Sequence, residues 1–186
     1  MNGPYFFGYG SLVNRATHDY ADAHPARITG WRRAWRHVEG RKVAFLTAVP
    51  DPDSEIEGLV AHVPGGDWAA LDMREHAYAR VMAEGVVHAL GGGPEIHIYH
   101  APEDMHVAAR TKRPVLLSYL DVVVQGYLRE FGMDGVARFF DTTDGWDAPI
   151  RDDRSAPAYP RHQALTADQT SLVDSHLARL GVVPIR

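Results

Sequence analysis

The stretch Leu71-Asp72-Met73-Arg74-Glu75-His76-Ala77-Tyr78 places a carboxylate where one is unusual. The pattern predicts a short helix over about 68–76 with Asp67 as its N-cap. On a helix, residues three and four apart stack on one face, so Trp68, Leu71 and Glu75 share a stripe, while Asp72 and Arg74 point elsewhere. A charge on an apolar stripe is costly unless it is paired. Burial therefore raises the carboxyl pKa, which suits a general acid or base working near neutral pH. The competing account is a half-buried glutamate bonded to a neighbouring Arg or Tyr.

A second candidate is the turn Gly8-Tyr9-Gly10-Ser11-Leu12, just after the aromatic run Tyr5-Phe6-Phe7. Val13 stands where a dinucleotide fingerprint needs glycine, no Gly-Lys-Ser/Thr follows, and Ser11 is not flanked by alternate glycines as in a nucleophile elbow. A strand ending in glycines still exposes main-chain N–H groups that can cradle a carboxylate or a phosphate. An ordinary strand-to-helix turn is the plainer reading. His97, His100 and His106 invite a metal, but there is no HExxH and no carboxylate at ligand spacing, so the expectation is no metal site. Trp31-Arg32-Arg33-Ala34-Trp35-Arg36 could stack on nucleic acid. A strand or loop with its tryptophans packed inward is the plainer account. Tyr119 and Tyr127 fall at helical spacing among aliphatic residues, which reads as core, with a Tyr hydroxyl in a cavity as the functional alternative.

These residues need elements to position them. Tyr5–Tyr9 predicts a strand. Lys42–Val49 and Ile56–Val63 predict a hairpin around Asp51-Pro52-Asp53-Ser54, and Glu95–His100 another strand. Tyr78–Ala89 favours strand through Val81, Val86 and Val87. The clearest helix runs over 114–130 from Pro114, followed by a shorter one over 134–140. A long ordered loop covers 141–162, and a last helix runs from a Thr166 cap to about Leu180. Strands mostly precede helices without a βαβ rhythm, which predicts an α+β fold whose mixed or antiparallel sheet may curl into a small barrel.

The 186 residues fit one domain, 1–186, with a C-terminal extension of about 142–186 packing on it. With no cysteine, thiol nucleophiles, iron–sulfur clusters and cysteine zinc sites are excluded. A net charge of −5 argues against a nucleic-acid partner. No basic-then-apolar leader and no apolar run near 18 residues is visible, so the reading is a cytoplasmic protein with no membrane partner.

Phe7-Gly8-Tyr9-Gly10-Ser11-Leu12 followed by Arg15 resembles the opening signature of the γ-glutamylcyclotransferase superfamily. Leu71-Asp72 through Glu75 resembles its second signature, with the catalytic glutamate, and Arg74-Glu75-x-x-Tyr78 looks most like the glutathione-specific branch. Pro114, Ser118-Tyr119-Leu120 and Gly126 are similar to a third element. Val13-Asn14 stands where glutathione-specific members often carry a Trp. Asp153-Arg154 to Pro157 and Tyr159-Pro160-Arg161 resemble a stretch of related bacterial members.

The resemblance implies a small mixed β-barrel with flanking helices and a pocket at one end. It implies a cofactor-independent lyase in which the α-amine of a γ-glutamyl compound attacks its own γ-carbonyl. The products are 5-oxoproline and an amino acid, dipeptide or amine, with glutathione among the candidate substrates. Glu75 is the expected acid/base. Tyr9, Gly10, Ser11 and Leu12 would bind the substrate carboxylate, and Tyr78 and Tyr119 would donate near the reacting carbonyl or to Glu75. A non-catalytic binding module and an amidohydrolase acting on a γ-glutamyl amide are the alternatives. A homodimer is left open, and the segment 146–161 is the expected cover of the pocket.

Overall fold

The structure, a computed structural model, describes residues 3–38, 40–106 and 113–185. Its fold is α+β, as expected. A mixed sheet carries β1 (Tyr5–Gly8), β2 (His24–Arg36), β3 (Phe45–His62), β4 (Ala79–Met82), β5 (Val86–His88) and β6 (Ile96–His100) in the order β4-β6-β1-β3-β2-β5. Helix α1 (Ala69–Arg74) lies between β3 and β4. The short strand β7 (Val115–Leu116) leads into α2 (Leu117–Asp141). Then come β8 (Thr143–Asp144), which adds to β2, β9 (Ile150–Arg151), which pairs with β7, and α3 (Ala167–Arg179).

The sheet does not close into the expected barrel, because β4 and β5 end the hydrogen-bonded order on opposite sides. All four residues of β1 are buried, since it lies centrally, antiparallel to β3 and parallel to β6. A strand covered on both faces reads as a continuous apolar run. Its C-terminal end delivers Tyr9–Leu12 to one rim of the sheet.

The expected hairpin between 42–49 and 56–63 is instead one 18-residue strand. Both halves pair antiparallel with β2, Arg32 opposite Val49 and Thr29 opposite Glu55, so residues 51–54 bulge out opposite Gly30. Asp51 does build a local turn, accepting from Asp53 N–H (3.2 Å) and Ser54 Oγ–H (2.7 Å). That turn chemistry makes a bulge because the chain finds the same partner again beyond it.

The basic Trp31–Arg36 run is β2, and its side chains serve the fold. Trp35 is buried edge-on to Tyr119 and Trp146. Arg32 forks onto Asp144, and Arg33 is 1% exposed inside the core. The expected helices over 114–130 and 134–140 are the two parts of α2, broken at Gly132 (φ 67°). α3 begins as expected, in a capping box between Thr166 and Gln169.

α2 holds the loop that follows β1 by close approach at Gly126. A Cβ there would stand 2.7 Å from the Asn14 nitrogen and 2.9 Å from its Cα. Asn14 is fully buried and donates to the Val122 carbonyl and the Gln125 side chain, each at 2.9 Å. We expect Gly126→Ala to force the loop off the helix and to cost about 2–3 kcal/mol. That corresponds to a melting temperature roughly 6–10 °C lower. An unchanged thermal melt would contradict this packing account.

Candidate functional site

The C-terminal rim of β1, the end of α1, the first residues of β3 and the start of α2 converge on a cleft. It consists of two adjoining recesses of about 320 and 630 Å³ that share Ser11, Leu46, Glu75, Tyr78 and Tyr119. The smaller is completed by Phe7–Leu12 and Tyr99. The larger extends along Val43–Leu46 and Leu116 to Tyr159 and Arg161. All seven site residues expected from the sequence line this cleft.

Glu75 reaches it by a different route from the expected stripe. α1 stops at Arg74, and Glu75 is the residue that ends it (φ −98°, ψ 23°). Its N–H still bonds the Leu71 carbonyl at 2.9 Å, and its own carbonyl accepts from Tyr78 N–H at 2.7 Å. One turn therefore fixes both Glu75 and Tyr78. Leu71 and Trp68 pack inward as expected, onto a small cluster that includes Phe6, Ala61 and Tyr99.

Arg74, expected to point elsewhere, turns toward the site. Its Nε lies 3.1 Å from Glu75 Oε1. Its Nη groups bond Ser11 Oγ (3.2 Å), the Thr17 carbonyl (2.9 Å) and Thr17 Oγ1 (3.2 Å). The arginine thus ties the catalytic candidate to the loop. Burial pushes the Glu75 carboxyl above its ordinary value of 4.5, and the charges of Arg74 and Arg161 offset part of that rise.

The loop Gly10–Val13 closes as a 3-10 turn, with Val13 N–H on the Gly10 carbonyl at 3.0 Å. The first N–H groups of such a turn have no acceptor within it. Gly10 gives the loop room, since a Cβ there would lie 2.7 Å from the Tyr119 hydroxyl.

The tyrosines divide their work. Tyr9 points its hydroxyl away from the loop, onto the Tyr99 carbonyl (2.6 Å), and its own carbonyl accepts from Tyr127 at 2.9 Å. It lines the recess while bracing the loop. The Tyr78 hydroxyl donates to the Leu46 carbonyl at 3.0 Å, so its proton is committed there rather than to Glu75. Tyr119 stands beside Gly10 and Ser11. Burial raises the Tyr78 and Tyr119 phenols well above 10, so both stay protonated at physiological pH.

The segment 146–161 covers the cleft only in its last part. Trp146 stacks on Phe140 and Ile150 is core, whereas Tyr159 and Arg161 reach the larger recess. Of the three histidines, His97 is held on Glu95 and lies near Trp68, and His100 packs against Trp31. Among the described residues no three His, Asp or Glu side chains are arranged to hold a metal ion. No helix among them is long and apolar enough to cross a membrane.

Solved structures share this architecture. A gamma-glutamyl cyclotransferase aligns over 92% of this chain and 98% of its own, at 13% identity and a TM-score of 0.59. An uncharacterized protein from Homo sapiens aligns over 91% and 97%, at 14% identity and 0.60. YkqA from Bacillus subtilis aligns over 78% and 57%, at 16% identity and 0.59. At these identities the likeness establishes the fold. The family described as gamma-glutamyl cyclotransferase, AIG2-like, matches residues 6–121, and the chain belongs to it.

Proposed function

We propose that the protein is a γ-glutamylcyclotransferase-type lyase that forms 5-oxoproline without a cofactor. The observation that carries this reading is the place of Glu75. It is a largely buried carboxylate with a raised pKa, on the wall common to two recesses, beside the loop Tyr9–Leu12.

In this mechanism the smaller recess holds the glutamyl part, with its α-carboxylate on the Tyr9–Leu12 amides. The larger recess holds the leaving group. The substrate's α-nitrogen attacks its own γ-carbonyl carbon, a C–N bond forms, and the lactam ring closes. Glu75 accepts protons from the attacking nitrogen and returns them to the departing one. Two protons move this way, so an α-ammonium substrate yields a neutral lactam and a protonated amine. Tyr119 donates toward the carbonyl oxygen as it gains charge. Because nucleophile and electrophile belong to one molecule, positioning supplies much of the acceleration.

The pH profile tests the role of Glu75. The base must be ionised in the free enzyme, so kcat/KM falls as the pH drops through the Glu75 pKa. That limb is expected above the ordinary carboxylate value of 4.5, because burial raises it. An acid limb at or below 4.5, or one that survives Glu75→Gln, would contradict the assignment.

A further inference from the structure

The larger recess carries a feature that the proposed reaction leaves unused. Its wall along Val43–Leu46 and Leu116 is mainly apolar, and the guanidinium of Arg161 stands beside it. Arg161 lies beyond residues 6–121, the part of the chain that the family covers. It is exposed, and among the described residues its guanidinium makes no hydrogen bond or ion pair. Only its main-chain carbonyl is engaged, by Gln163. Arg74, the other cation of the recess, spends its donors on Ser11, Thr17 and Glu75.

The segment that presents Arg161 is a built turn. The Asp153 carboxylate accepts from Ser118 N–H (2.8 Å), Ser118 Oγ–H (2.7 Å) and Ala158 N–H (2.8 Å). Burial would push that carboxyl up, but these donors outweigh it and hold it below its ordinary value. Arg154 forks onto Asp121 at 2.7 and 2.8 Å and reaches Asp174 at 2.7 Å, clamping the turn to α2 and α3. Tyr159 then sits edge-on to Tyr119, with ring centroids 5.0 Å apart. A cation presented by a braced turn beside an apolar wall, bonded to no acid among the described residues though its charge reaches Glu75 in the same recess, is arranged to receive an anion carried by the ligand.

Resting on the γ-glutamyl reading above, we propose that Arg161 binds a carboxylate on the leaving group. The preferred substrates are then γ-glutamyl derivatives of apolar amino acids rather than of plain amines. The test is a pair that differs by that carboxylate alone, γ-glutamyl-leucine and γ-glutamyl-3-methylbutylamine.

Wild type is expected to favour the leucine compound by roughly two- to fivefold in kcat/KM, the scale of one solvent-accessible guanidinium–carboxylate contact. Arg161→Gln should bring the ratio near one. Because the charge of Arg161 also lowers the Glu75 pKa, the substitution alters both substrates in common, and the ratio cancels that effect. A wild-type ratio near one, or an equal loss on both compounds in Arg161→Gln, would overturn the proposal.

If wild type forms 5-oxoproline from neither, the reaction reading fails on its own. Calorimetric titration of the pair into Glu75→Gln, with and without Arg161→Gln, then decides the role of Arg161. Tighter binding of the leucine compound that Arg161→Gln abolishes supports it, and equal or absent binding of the two overturns it.

Discussion

Glu75→Gln is expected to lower 5-oxoproline formation by about 10³-fold while leaving the fold intact. The substitution keeps the size and the hydrogen-bonding reach of the side chain and removes the ability to exchange a proton. Substrate binding should change far less, so the loss falls on kcat.

The stability consequence has a definite sign. A carboxyl whose pKa is raised in the folded state favours folding most at pH below its unfolded value, and that advantage disappears as the pH rises through the folded value. Burial raises Glu75 in this way, so at neutral pH its ionised form is a burden on the folded state. Glu75→Gln should therefore melt no lower than wild type at pH 7. Steady-state release of 5-oxoproline, paired with a thermal melt, checks both statements. Retained turnover, or a variant that melts well below wild type, would contradict this account of Glu75.

Arg33→Ala is expected to produce the largest loss of stability, about 3–5 kcal/mol. Arg33 is among the largest fully buried side chains. Its guanidinium donates to the Glu57 carbonyl (3.0 Å), Tyr127 Oη (2.8 Å), Thr143 Oγ1 (3.2 Å) and Thr142 Oγ1 (2.5 Å), and lies 5.1 Å from the ring centroids of Tyr127 and Phe139. Removing it opens a cavity and takes a donor from each of these acceptors, of which Tyr127 Oη and Thr143 Oγ1 are buried. It also removes a positive charge that faces Glu57, one of whose carboxylate oxygens is buried without a hydrogen-bond partner.

Arg33→Met fills the space without a charge to desolvate and should cost substantially less. The effect should also reach the cleft, since Tyr127 bonds Arg33 on one side and the Tyr9 carbonyl on the other. Denaturant unfolding of the two variants checks the ranking, and equal stability of wild type and Arg33→Ala would contradict it.

These two residues show how much of the protein was legible in its sequence. Glu75 was legible because a carboxylate four residues from Leu71 and seven from Trp68 is out of place on an apolar stripe. Its geometry was not, since α1 ends one residue earlier and a turn, not a helix face, aims the side chain. Arg33 lay in a basic run whose composition suits a surface. Only the pairing of β2 along the whole of β3 carries that residue into the core.

The hairpin expectation failed for a related reason. Asp51-Pro52-Asp53-Ser54 has turn chemistry, but local chemistry does not say whether the chain reverses or bulges, and the long-range register with β2 decides it. Thr166 and Gln169, by contrast, act within four residues of each other, and α3 starts where the sequence places it. Arg74 and Arg161 were missed as cleft residues because their partners are distant in sequence. Arg74 meets Ser11 and Thr17, while Arg161 depends on a turn tied to α2 through Asp153 and Arg154.

The central claim is that the γ-carbonyl is attacked by the substrate's own nitrogen. Product analysis after incubation of wild type with γ-glutamyl-leucine in ¹⁸O-labelled water tests it most directly. Lactam formation predicts unlabelled 5-oxoproline and leucine in equal amounts, with both lost in Glu75→Gln. Glutamate carrying one ¹⁸O in its γ-carboxylate would show that water is the nucleophile and would contradict the account.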